Sequence, residues 1–125
     1  MSENKIAYQI REAIYDVYNK PGPGLFESVS ENALSYELRK RGLDVKFQVP
    51  INIVYDGIDM RAGFKMDLIV EDKVIIELKS VETLALVHYK QLLTYLKLTN
   101  LKLGILVNFN TSDINKSIIR KVNGL

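Results

Sequence analysis

Apolar residues along the first part of the chain fall three or four positions apart. Ile6, Ile10, Ala13, Ile14 and Val17 share one stripe, so the spacing predicts an amphipathic helix over roughly 4–20. Pro21-Gly22-Pro23-Gly24 cannot continue a helix and reads as a loop. Leu25, Val29, Ala33, Leu34 and Leu38 resume the helical spacing. Arg39-Lys40-Arg41 places cations at the negative end of that second helix, with Gly42 as its stop. The period then changes. Val45, Phe47 and Val49 alternate with polar neighbours up to Pro50, Ile51–Tyr55 reads as a second strand, and Asp56-Gly57 is a turn signal. Residues 64–70 and 74–79 are strands joined by Glu71-Asp72-Lys73. A helix over about 82–99 carries its stripe on Ala85, Tyr89, Leu92, Leu93 and Leu96. Residues 102–109 read as a buried strand, and Ile118, Ile119 and Val122 mark a short last element. The expected order is ααββββαβ and a short tail, an α/β or α+β sandwich.

The hairpin at 64–80 holds the candidate chemistry. If Val70 pairs with Val74, Asp67 lies opposite Glu77 and Lys65 opposite Lys79. One face then carries Met66, Leu68, Val70, Val74, Ile76 and Leu78. The other carries Lys65, Asp67, Ile69, Ile75, Glu77 and Lys79. A slip by one residue would mix polar and apolar groups on both faces, so the pattern selects this pairing. Two carboxylates side by side in apolar strands raise each other's pKa. A divalent cation removes that conflict and activates a water toward a phosphodiester, while Lys79 stabilises a developing oxyanion. The spacing alone leaves a solvated ion-pair patch equally open.

Composition narrows the chemistry. The 125 residues, 47% of them hydrophobic, suffice for one compact domain over 1–125 with a real core. With no cysteine and the single histidine His88, a thiolate or histidine metal cluster is excluded. A metal site would be built from oxygen, which suits Mg²⁺, Mn²⁺ or Ca²⁺. A net charge of +2 is weak evidence for nucleic acid on its own. The N-terminus lacks the apolar core of a signal peptide and no run is long enough to span a bilayer, so a cytoplasmic location without membrane contact is expected.

Asp67, nine intervening residues, then Glu77-Leu78-Lys79 resembles the Asp…(D/E)xK core of PD-(D/E)XK nucleases. Gly24-Leu25-Phe26-Glu27, the run GFKMDLIVEDKVIIELKSVE and Leu103–Phe109 resemble the start, centre and last core strand of the GxxExxY family. Gln91-Leu92-Leu93-Thr94-Tyr95 resembles the QxxxY helix of RecB-type nucleases. The resemblance spans about residues 8–123. It implies a restriction-endonuclease-like core, a mixed central β-sheet flanked by α-helices. It implies Asp67, Glu77 and Glu27 as catalytic carboxylates and metal ligands, with the carbonyl of Leu78 adding an oxygen. It further implies Lys79 as the catalytic lysine, Gln91 and Tyr95 as substrate-positioning residues, Mg²⁺ or Mn²⁺ as cofactor and nucleic acid, DNA first, as partner. Two positions depart from the patterns: Ser30 stands where the GxxExxY family has its tyrosine, and Met66 precedes Asp67 in place of proline.

The remaining residues are weighed against plainer roles. Glu27 alone could be a first-turn acid, and Glu31, one turn on, is the fallback acid, though it reads more readily as a solvated residue. His88 reads as structural or solvent-facing, Tyr95 equally as core, and Gln48 as a residue that could hydrogen-bond near the site. Arg39, Lys40 and Arg41 read as a solvated helix end. The expected activity is divalent-metal-dependent phosphodiester hydrolysis. Its competitors are a catalytically silent nuclease-fold module that binds nucleic acid or a protein partner, and a structural homo-oligomer. A fold this small has little surface for sequence readout, which makes a homodimer an expectation.

Overall fold

The computed structural model describes residues 1–20, 24 and 26–125. Pro21-Gly22-Pro23 and Leu25, assigned above to the loop and the second helical stripe, lie outside the described residues. The elements run α1 (Glu3–Asn19), α2 (Glu27–Lys40), β1 (Val45–Tyr55), β2 (Ile58–Val70), β3 (Val74–Lys79), α3 (Leu86–Thr99), β4 (Leu103–Asn108) and β5 (Ile118–Val122). A 3-10 turn at Ile114–Ser117 precedes β5. The five strands lie in chain order in one sheet. Only β3 and β4 are parallel; their neighbours pair antiparallel. A parallel pair cannot be closed by a tight turn, and α3 is its crossover.

The sheet is covered on both faces, which is why β3 and β4 read as continuous apolar runs. On one face, Ile6, Ile10 and Ile14 of α1 and Leu34 and Leu38 of α2 pack on Leu68, Val70, Ile76 and Leu78. On the other, Leu92, Tyr95 and Leu96 of α3 pack on Met66, Ile69, Ile75 and Leu106. Gly104 lets α3 approach closely, since a Cβ there would stand 2.7 Å from Leu92 Cδ1. The architecture is the α/β restriction-endonuclease-like arrangement expected, a mixed sheet flanked by helices.

The structure corrects several local expectations. The two strands expected at 45–50 and 51–55 are one strand, so three strands, not four, precede α3. Gln48 sits at φ 51 within it and has no partner in the β1–β2 ladder, which resumes at Val49↔Met66. This left-handed residue turns the strand over. Val45 packs on the α1/α2 side, whereas Val49 and Ile51 pack on the α3 side. Met66 follows Val49 and joins the α3 core, not the face of Leu68 and Val70. β2 begins at Ile58, because Asp56 and Gly57, both at positive φ, close a tight hairpin. α2 is rolled relative to its expected stripe: Val29 is exposed, and Ser30, Glu31, Ser35 and Glu37 are buried beside Leu34 and Leu38. α3 starts at Leu86, with Ala85 outside it and exposed; Tyr89 and Leu93 are only half-buried.

Candidate metal centre between β2 and β3

The expected register holds, with Val70↔Val74, Ile69↔Ile75 and Leu68↔Ile76 paired. It would next bring Asp67 opposite Glu77, but there the ladder stops and side chains take over. The Asp67 N–H donates to Glu77 Oε2 at 2.9 Å, and the Leu78 N–H donates to Asp67 Oδ2 at 2.8 Å. Each carboxyl is therefore anchored to the opposite strand across a gap in the sheet. Lys65 and Lys79 are not paired in the ladder. Within a strand, a residue's N–H and C=O point to the same side. The Leu78 carbonyl is thus directed toward the Asp67 gap.

The electrostatics follow from this contact. Glu77 is 5% exposed. Burial first, then the charge of Asp67 and a hydrogen bond between the two side chains, push its carboxyl up to about 9. Lys79 pulls the other way. At neutral pH Glu77 accordingly keeps a proton beside Asp67. Lys79 ends β3, half-buried; among the described residues no ion pair or side-chain hydrogen bond engages it.

Two further acids arrive from α2. Glu27 Oε1 accepts the Ser80 N–H at 3.2 Å, which ties the start of α2 to the end of β3. Glu31 is 6% exposed, contrary to its expected solvation. Its carboxyl is raised by burial and by the charges of Asp67 and Glu27, and lowered by Gln48 and Lys79. Gln48 Nε2 donates to Glu31 Oε1 and lies 3.4 Å from Asp67 Oδ1. Gln48 and Glu31 are the site neighbours the sequence understated. Glu31 lies four residues after Glu27, hence on the same side of α2, and Gln48 falls opposite Asp67 in the β1–β2 register. Those two spacings were the available signal.

From the other side of the sheet, Tyr95 is 3% exposed, packs its ring 5.3 Å from that of Phe64, and has its hydroxyl raised by burial and by the charges of Glu77 and Asp67. It is both core and site neighbour. Gln91 lies one turn earlier on α3 and is half-buried. His88 is structural: its Nδ1 accepts the Ala85 N–H at 3.0 Å at the start of α3. Arg39, Lys40 and Arg41 are exposed and engaged, Arg39 with the Val45 carbonyl, Lys40 with Glu37 and Arg41 with Asp16.

The oxygen chemistry of this gap suits a hard divalent cation, because a buried carboxyl pair that must otherwise hold a proton is relieved by one. Among the described residues no three His, Cys, Asp or Glu side chains already converge on one ion position. The fit is one of donor type and charge, carried by Asp67 and Glu77.

No curated protein and no solved structure matches the chain. A family model described as the PD-(D/E)XK nuclease superfamily matches residues 4–121.

Proposed function

The chain belongs to the PD-(D/E)XK nuclease superfamily, and from that premise we propose that it hydrolyses phosphodiester bonds in nucleic acid, DNA foremost, as a single domain using Mg²⁺ or Mn²⁺. Within the superfamily we assign it to the GxxExxY group. The observation that carries the reading is the contact between Asp67 and Glu77 across an opened sheet, with Lys79 within electrostatic reach. Asp67, Glu77 and the Leu78 carbonyl would hold the cation, with Glu27 reaching the same end of β3 from α2. A divalent cation there supplies a Lewis acid for the phosphodiester and a water of lowered pKa. Glu77 gives up its proton when the site is loaded. Lys79 offers a mobile ammonium to the charge that grows on the phosphate oxygens. Glu31 and Gln48 orient Asp67. Tyr95 and Gln91 close the α3 side and position the strand.

Asp67→Asn keeps an acceptor for the Leu78 N–H and so preserves the fold. It is expected to abolish Mn²⁺-dependent cleavage of plasmid and oligonucleotide DNA. Lys79→Met should slow cleavage about a hundredfold or more, the scale of losing one oxyanion donor. Wild-type protein that cuts no DNA or RNA with any divalent cation would sink the reading. Among the described residues no three acidic side chains converge on one ion position, which favours one competitor, a silent module that binds nucleic acid or protein without metal. That competitor is preferred if calorimetry detects no divalent cation and Glu77→Ala leaves nucleic-acid binding unchanged.

A further inference from the structure

Lys79 and Asn108 are register partners at the ends of the parallel strands β3 and β4. Register partners share a sheet face, so Asn108 stands beside Lys79 on the α3 side, one strand spacing of about 4.8 Å away. Past this point the chain from β3 turns into α3, and the chain from β4 turns into the 3-10 turn. The crevice where two such connections part is a common ligand position in α/β sheets. Here it is a cavity of about 400 Å³.

Its floor is preset. Asn108 is buried; its Oδ1 accepts the N–H groups of Val81 at 3.1 Å and Asn110 at 3.2 Å, and its Nδ2 donates to the Val81 carbonyl at 2.8 Å. The amide of Asn110 and the hydroxyls of Thr83 and Ser112 line the space. Among the described residues no hydrogen bond engages these three side chains. Leu84, Tyr89 and Ile119 give it apolar wall. The two charged residues on its rim, Glu82 and Lys116, are opposite in sign.

The lining itself is balanced in charge, while Lys79 beside its floor and Lys121, 5.3 Å over the Tyr89 ring, stand where phosphates flanking a bound base would lie. Unspent amide and hydroxyl groups beside an apolar wall fit the edge and ring of a nucleobase. A base paired in a duplex hides its Watson–Crick edge and enters only after unpairing and unstacking, a cost that a single strand does not bear. We propose that this cavity receives the base of an unpaired nucleotide adjoining the phosphodiester at Lys79, so that the substrate is single-stranded at the cut. This rests on the nuclease reading above and extends it to substrate form.

The test is fluorescence anisotropy of the full chain in Ca²⁺, with labelled single-stranded DNA, single-stranded RNA and blunt duplex DNA of one sequence. A single strand, DNA or RNA, should bind about tenfold tighter than the duplex. Replacing one base by an abasic site should cost a similar factor at one position. Ser112→Trp, which fills the cavity from an exposed residue, should weaken single-strand binding equally and erase the abasic penalty. Asn110→Ala, at a side chain with no hydrogen bond among the described residues, should weaken it severalfold. Equal affinity for duplex and single strand, no binding to either strand, or wild-type affinity in both variants would overturn the proposal. Cleavage lost in Asp67→Asn is read separately, so an active nuclease with an idle cavity is told apart from a protein that is no nuclease.

Discussion

At the scale of single residues, the consequence to test is the proton on Glu77. Its folded-state carboxyl is raised to about 9 by burial and by Asp67. In the unfolded chain it ionises in the ordinary carboxylate range. Between these two values the native state binds more protons than the unfolded state, so stability falls as pH rises. The contribution is complete only below about pH 4 and gone above pH 9. Glu31, also raised, acts in the same direction. In chelator, the Tm of the wild type should therefore decline from pH 5 to pH 9. Glu77→Gln should flatten most of that decline and leave the part due to Glu31. A cation must displace the same proton, so Mn²⁺ affinity measured by calorimetry should rise over the same window. A wild-type Tm that climbs steadily from pH 5 to pH 9 would remove the buried proton. The Asp67–Glu77 contact was legible in the sequence because only one register keeps Leu68, Val70, Val74 and Ile76 on one face. The burial of Glu31 and the turn at Gln48 were not. The first depends on how α2 rolls, and the second on one left-handed backbone residue that leaves no apolar trace.

The same limit appears at the scale of elements. Strands β3 and β4 were readable because both of their faces are covered, which demands apolar residues at every position. β2 before Phe64 was not, since Ile58–Gly63 is exposed on an arm that pairs only with β1. α2 is the most instructive case. Its sequence offers Val29 and Ala33 to the core, yet the helix turns Ser30, Glu31 and Ser35 inward and leaves Val29 exposed. The roll places Glu27 and Glu31 toward the end of β3, so packing concedes apolar burial to bring acids to the site. Leu34→Ala should then cost about 2–5 kcal/mol in urea unfolding, as for a fully buried leucine. Val29→Ala should stay within about 0.5 kcal/mol. Equal losses at the two positions would restore the stripe read from the sequence and move both acids away from Asp67.

At the scale of the whole molecule, charge is the property in tension with function. The chain carries only +2, and several of its cations are paired on its surface. Lys20 and Lys40 both hold Glu37, Arg41 holds Asp16 and Lys46 holds Asp72. Arg11 is bonded to Tyr15 and Asn115, and Arg39 to the Val45 carbonyl. Binding that relied on a phosphate track would release many counterions and fall steeply with salt. With six of its 17 Lys and Arg side chains so engaged, the proposed hold on nucleic acid would draw first on Lys79, the proposed metal centre and neutral contacts near the ends of β3 and β4. The logarithm of affinity for a single strand, plotted against the logarithm of salt in Ca²⁺, should accordingly have a slope no steeper than about −3, as about four neutralised phosphates would give. A slope of about −6 or steeper would mean that the ion pairs open on binding and that a basic surface, not the sheet end, does the holding.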